Sequence, residues 1–258
     1  MNMGKLLPIL DHTDQVLKCS SVEAVWALHI EMMSKYGFDR LLYISTNLRT
    51  HGVWGDISDA LILTNYKKEF LDVYIGQGLH KQATVARTEG YKPGAYSWQH
   101  SLERPDTREL TKAEMSLAEL RAKWEIKAGY TIWFGEISER DRAFIGLCAR
   151  RELAQDDVNS LWVERGNEIC MLNNLVHLKL SQLPHMGRWN PLTARQREVL
   201  QWVADGKTTK DIAQIMRLSE GSVAKHLQLA RKAFGVETTG QAIRKASIWK
   251  QFFVSQDD

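Results

Sequence analysis

The stretch from Leu192 to Ala246 limits most sharply what this chain can fold into. It reads LTARQREVLQWVADGKTTKDIAQIMRLSEGSVAKHLQLARKAFGVETTGQAIRKA. Thr193 followed three positions later by Gln196 is a capping box, so the spacing predicts a helix from Ala194, with Val199, Leu200 and Val203 on its apolar face. Gly206 ends it. A second short helix follows, with Ile212, Ala213, Ile215 and Met216 turned inward. The turn Arg217-Leu218-Ser219 leads into a third, for which Ser219 is the expected N-cap. In that third helix Val223, Leu227, Ala230 and Phe234 form one stripe, leaving Ser222, Lys225, His226, Gln228, Arg231 and Lys232 on or beside the outer face. A helix that hides its aliphatic side and offers short polar and basic groups suits the major groove of DNA.

These residues resemble the helix-turn-helix of the LuxR-type regulators. The match runs through Leu192, Thr193, Arg195, Glu198, Val199, Leu200, Trp202, Ala204, Gly206, Lys207, Thr208, Ile212, Ala213, Ser219, Val223, His226, Ala230 and Gly235. Gln196 stands where the family has Glu, and either side chain completes the cap. Gly221 in the first turn of the third helix costs ~1 kcal/mol of helix propensity. Places on the outward stripe and at the start of the second helix give base recognition to Lys225, Gln228 and Arg231, and phosphate contacts to Lys207, Thr208 and Lys232. Charge agrees: eleven basic and seven acidic residues lie from Asn190 to Asp258, a surplus of four in a chain whose net charge is +3.

Ahead of this segment the chain alternates helix and strand. Helices are expected over 22–36, 65–76, 79–88, 107–127 and 156–183. Strands are expected over 40–45, 129–135 and 142–149, the last two as a hairpin; 46–55 reads as a loop and 90–96 as a turn. The order is similar to the autoinducer-binding domain of quorum-sensing LuxR-type regulators and spans nearly all of residues 15–183. The expected fold class is α+β: an N-terminal α-β-α sandwich with a central antiparallel sheet, plus a C-terminal all-α helix-turn-helix domain. The expected division is a sensory domain over 1–183, a Pro- and Gly-containing linker over 184–191 and a DNA-binding domain over 192–258.

The autoinducer-binding domain takes N-acyl homoserine lactones between sheet and helices. Its YxxxWxxxY run falls on Tyr66, Phe70 and Tyr74. Phe70 replaces a tryptophan whose N–H donates to the lactone carbonyl, and phenylalanine has no donor. The family's Asp-Pro, whose carboxylate accepts from the ligand amide, falls on Ala83-Thr84. Trp98 matches a tryptophan that packs on the lactone ring, Gly129 matches a family glycine, and Ile145 falls where some members carry a threonine hydroxyl. The aromatic walls stay while two polar anchors are gone. Losing one charge-assisted hydrogen bond costs roughly 1.5–3 kcal/mol. The resemblance thus implies either a homoserine lactone held through Tyr74, Thr84 or Gln82, a different and less polar ligand, or none.

Neither a metal nor a cofactor is expected: no HExxH, GxSxG, GxxxxGK[ST] or GxGxxG motif is present. Cys19, Cys148 and Cys170 lie far apart and read as free thiols of a cytoplasmic protein. No apolar run approaches the ~20 residues of a membrane span, and residues 1–15 lack a signal-peptide cleavage site. Expected partners are double-stranded DNA with a two-fold promoter site, a small-molecule autoinducer, a second copy of the chain and RNA polymerase. The dimer is expected through the helix 156–183 and a C-terminal helix, 239–253, whose Ala242, Ile243, Ala246 and Trp249 share one side. Ala224, where some relatives place an arginine, keeps open a regulator that heterodimerises and binds DNA poorly.

Overall fold

The computed structural model describes residues 3–46, 57–82, 92–99, 111–135, 141–185 and 191–253. They form two compact units, Met1–Ser181 and Gln182–Asp258. No helix among the described residues is long and apolar enough to cross a membrane.

The first unit is built on a five-stranded antiparallel sheet of β1 (Phe38–Thr46), β2 (Leu61–Thr64), β3 (Gly94–Ser97), β4 (Gly129–Trp133) and β5 (Arg142–Ala149). The order across it is β2-β1-β5-β4-β3. Every residue of β4 is buried, as a strand covered on both faces must be. Pairing of Leu42 with Gly146 and of Thr131 with Gly146 puts Leu42, Ile44, Thr131, Trp133, Phe144 and Gly146 on one face. Tyr43, Ile132 and Ile145 face the other way.

On that second face lie α2 (Val22–Lys35) and the 28-residue α5 (Gln155–Gln182), with α1 (Met3–Lys18) against α2. Tyr43 bonds to His177 Nδ1 at 2.9 Å, and the ring of Tyr130 stacks on Trp162 at 3.8 Å. Buried His29 and Asn173, 2.9 Å apart, join α2 to α5. The first face carries α3 (Lys68–Tyr74) and α4 (Lys112–Lys123), which meet through Phe70, Leu79, Leu117 and Leu120. This is the expected α-β-α layering.

The local differences have identifiable causes. Residues 3–18 are helical despite Pro8, because Ile9, His12 and Val16 bury one stripe. The strands β2 and β3 pair at the sheet edges, where four residues suffice; β3 replaces the end of the expected 90–96 turn. The helix expected from 107 is described from a capping box at Thr111 and Glu114 onward, and of the helix expected over 79–88 only a 3-10 turn at Leu79–Gln82 lies among the described residues. The 46–55 loop lies almost wholly outside them.

The second unit packs α6 (Ala194–Ala204), α7 (Thr209–Met216), α8 (Glu220–Ala233) and α9 (Thr239–Ile248). Gly206 follows α6 at φ +82, a conformation that favours glycine. Val199, Ile212, Ala213, Met216 and Val223 make one core cluster; Leu200, Ala230, Phe234, Ala242, Ala246 and Trp249 make another. Ile215, expected inside, is 46% exposed, because the inward stripe of α7 passes through 212, 213 and 216. The last helix stops at Ile248; Lys250 takes φ 56 and a 3-10 turn follows at Gln251–Phe253. Ala242, Ala246 and Trp249 are fully buried within this unit, Trp249 edge-on to Phe234 at 5.2 Å. The side of α9 expected to serve a dimer is therefore consumed by the unit's own core. His185 belongs here too: its N–H donates to Trp249 O, and Gln251 donates to its carbonyl.

Candidate ligand pocket and DNA-reading helix

The four-residue spacing of Tyr66, Phe70 and Tyr74 lines their rings up against the first sheet face. Tyr66 stacks on Phe70 at 4.4 Å and Phe70 on Tyr74 at 5.3 Å, while the edge of Trp124 closes on Phe70 at 5.8 Å. Phe70 is buried; Tyr66 and Tyr74 are half-buried. Burial pushes both phenols above their usual pKa range, that of Tyr66 well above it with the Cys148 thiol as a neighbour. Both are neutral hydroxyls at physiological pH, able to donate or accept a hydrogen bond.

Trp98 lies across the same face from the β3 side. Its Nε1 donates to Thr131 Oγ1 at 2.8 Å. Close approach is what Gly129 permits: a Cβ there would stand 2.2 Å from Leu147 O and 2.8 Å from the Trp98 ring. The Gly129 N–H donates to Gln155 Oε1, and Gln155 also binds Ser97 and Asn159, so the end of α5 fixes the Trp98 turn. Ile145 is a correction. It is 1% exposed on the opposite face, paired with Tyr43, because strand parity sends it toward α2 and α5. Ala83 and Thr84 lie outside the described residues.

Two side chains of this face escaped the sequence reading. One is Thr131. The other is Arg121, three residues before Trp124 and four after Leu117 on α4, hence on the helix face turned toward α3. It is half-buried. Burial lowers its pKa, and the Tyr74 and Tyr66 hydroxyls are near enough to act on its charge in the opposite sense.

In the second unit the helix-turn-helix is set by local caps. Thr193, Thr208 and Ser219 each accept from the backbone N–H three residues on. Arg217 closes α7 in the left-handed region at φ 54, and the Leu218 N–H returns to Ala213 O at 2.8 Å. Against the buried line of Val223 and Ala230, α8 exposes Gly221, Ala224, Lys225, Gln228, Leu229 and Lys232. Lys207 is exposed at the approach to α7. Four expected DNA residues are more committed than their sequence positions suggested. Arg231 is half-buried, its guanidinium donating to Thr239 Oγ1 at 3.1 Å, which ties α8 to α9. The Nδ1 of His226 is enclosed without a hydrogen-bond partner. The Thr208 hydroxyl lies 2.7 Å from Asp211 in its capping box, and Ser222 Oγ is 2.9 Å from Ser219 Oγ.

Family models match both units: the autoinducer binding domain over residues 21–180 and the bacterial regulatory proteins, luxR family, over residues 190–246. The chain belongs to the LuxR family of bacterial regulators. The transcriptional activator protein ExpR of Dickeya dadantii is 22% identical over 222 residues, 82% of this chain and 84% of that protein. The quorum-sensing regulator RhlR of Pseudomonas aeruginosa is 44% identical over 101 residues, 36% of this chain and 41% of its own length. Relatives matched at 40% identity or more are matched over less than half of their length. Escherichia coli SdiA shares the fold, with a TM-score of 0.50 at 18% identity over 93% of this chain and 95% of that one. This LuxR-family chain is a transcription regulator with an autoinducer-binding domain and a helix-turn-helix, and not an enzyme.

Proposed function

We propose that this regulator reads a two-fold DNA site as a dimer, through α8, under the control of a small molecule bound on the first sheet face. One observation carries the reading: Lys225, Gln228 and Lys232 form a continuous exposed edge on a helix whose other side is core. Gln228 reads a base edge, Lys225 contacts base or phosphate, and Lys207 and Lys232 hold phosphates. Arg231 acts by fixing α8 to α9. RNA polymerase is the further partner such a regulator would address from DNA.

The dimer forms through α5 rather than α9. Val163 is 91% exposed, Met171 51% and Leu178 58%, along one outward side of α5. Solvent-facing apolar groups so aligned on one helix favour a partner surface. The bound molecule is an acyl homoserine lactone or a differently functionalised ligand. Phe70 cannot donate, so the polar end of that ligand is held elsewhere. Exposed Ala224, in the middle of the reading edge, favours a second reading in which DNA affinity is low and the chain works through a heterodimer. Gel shift against fragments of genomic DNA separates the two. Discrete complexes at submicromolar protein support direct reading; equal weak binding to every fragment supports the second.

A further inference from the structure

Arg121 occupies a place where a surface cation has no reason to be. On α4, Leu117 and Leu120 are buried and Trp124 touches Phe70, so the side chain at 121 issues on the helix face that packs against the aromatic run. The solvent side of α4 carries Lys112, Glu119 and Lys123 instead. Tyr66, Tyr74 and Arg121 are each half-buried, and the two phenols lie near enough to act on the Arg121 charge. Among the described residues, no hydrogen bond or ion pair ends on the Arg121 guanidinium. The nearby acids point elsewhere: Glu114 accepts from Thr111 in the cap, Glu125 pairs with Arg151 at 2.9 Å, and Glu119 is exposed on the solvent side. A guanidinium offers five donors in a planar fork, free here for a ligand to accept from. Phe70, at the centre of the aromatic run, offers a ligand carbonyl no donor, whereas an arginine suits an anion.

We propose that Arg121 is the polar anchor of the pocket and that the molecule it holds is a carboxylate on an apolar body. The carboxylate accepts two N–H bonds from the guanidinium, with the Tyr74 hydroxyl able to donate a third. The apolar body lies along Tyr66, Phe70 and Tyr74 and over the sheet face toward Trp98. This rests on the pocket reading above and adds the ligand's charge.

The test uses the full-length protein and three probes of one chain length: dodecanoate, methyl dodecanoate and N-dodecanoyl homoserine lactone. Calorimetry gives stoichiometry and affinity for wild type, Arg121→Lys and Arg121→Met. The expected result is one dodecanoate per chain, bound roughly ten- to a hundredfold tighter than the ester. Arg121→Met should bring acid and ester level while ester binding holds, and Arg121→Lys should keep part of the preference. Wild type binding ester or lactone as tightly as acid overturns the proposal and leaves the pocket standing; so does an acid preference that survives in Arg121→Met. Binding of none of the three overturns the proposal together with the pocket reading beneath it. Should the variants fail to fold, the wild-type ratio of acid to ester decides alone.

Discussion

His29 gives the fold a pH dependence whose size follows from its surroundings. Its ring is fully buried between α2 and α5. Asn173 Nδ2 donates to Ile169 O at 2.8 Å, which turns its Oδ1 toward His29, so the neutral ring carries its hydrogen on Nε2 and donates. Nδ1 has no partner. Protonation would place a charge in a dry site beside His12, whose ring is 6.3 Å away. Burial, against the opposing Asn173 bond, lowers the pKa from 6.5 to about 4. The unfolded chain therefore binds more protons between those values, and stability falls as pH drops through 6.5. At pH 5 the loss is about 2 kcal/mol relative to pH 7.5, approaching about 3 kcal/mol near pH 4. His177, also brought to about 4 by burial, acts in the same sense. Urea unfolding of the full chain at pH 7.5 and pH 5.0, following the transition of the first unit, should show a much lower midpoint at pH 5.0. His29→Gln should be less stable at pH 7.5 yet lose roughly half as much on acidification. An unchanged midpoint in wild type, or the same loss in wild type and variant, would refute the reasoning.

Other outcomes follow from particular contacts. Gly129→Ala drives a methyl into Leu147 O and the Trp98 ring, and should cost about 1–3 kcal/mol in thermal melts while weakening ligand binding. Trp249→Ala empties the centre of the second unit and should cost roughly 3–5 kcal/mol, abolishing DNA binding through unfolding that circular dichroism would reveal. Met171→Lys with Val163→Glu on the outward side of α5 should lower the sedimentation mass to that of a monomer; an unchanged dimer would place the interface elsewhere.

The two units were not equally readable. The helix-turn-helix is written in local signals: Thr193, Thr208 and Ser219 cap the helix that follows each, and the turn between α7 and α8 is three residues long. Long-range effects stayed hidden. Nothing near Arg231 in sequence announces its bond to Thr239. The apolar side of α9 reads in sequence as an unclaimed face, since nothing local shows that Trp249 packs on Phe234 and closes a four-helix core. In the first unit, hydrophobic runs placed β1, β4, β5 and α5 within a few residues. Pro8 concealed α1, and the edge strands β2 and β3 are too short to show a period. Ile145 was assigned to the pocket by position alone; alternation along β5 puts it on the far face. Nothing local to Arg121 marks it; only its spacing from Leu117 and Trp124 on the helix places it on the inward face.

If α8 carries the reading edge, its exposed side chains must divide between base reading and phosphate binding. Fluorescence anisotropy tests it on a site selected from random duplexes, with each base pair substituted in turn, for wild type, Gln228→Ala and Lys232→Ala. Gln228→Ala should lose discrimination at one or two base pairs per half-site. Lys232→Ala should instead weaken all sequences alike and reduce the salt slope by about one. Equal loss on specific and random DNA for Gln228→Ala, or no specific site at all, would contradict it.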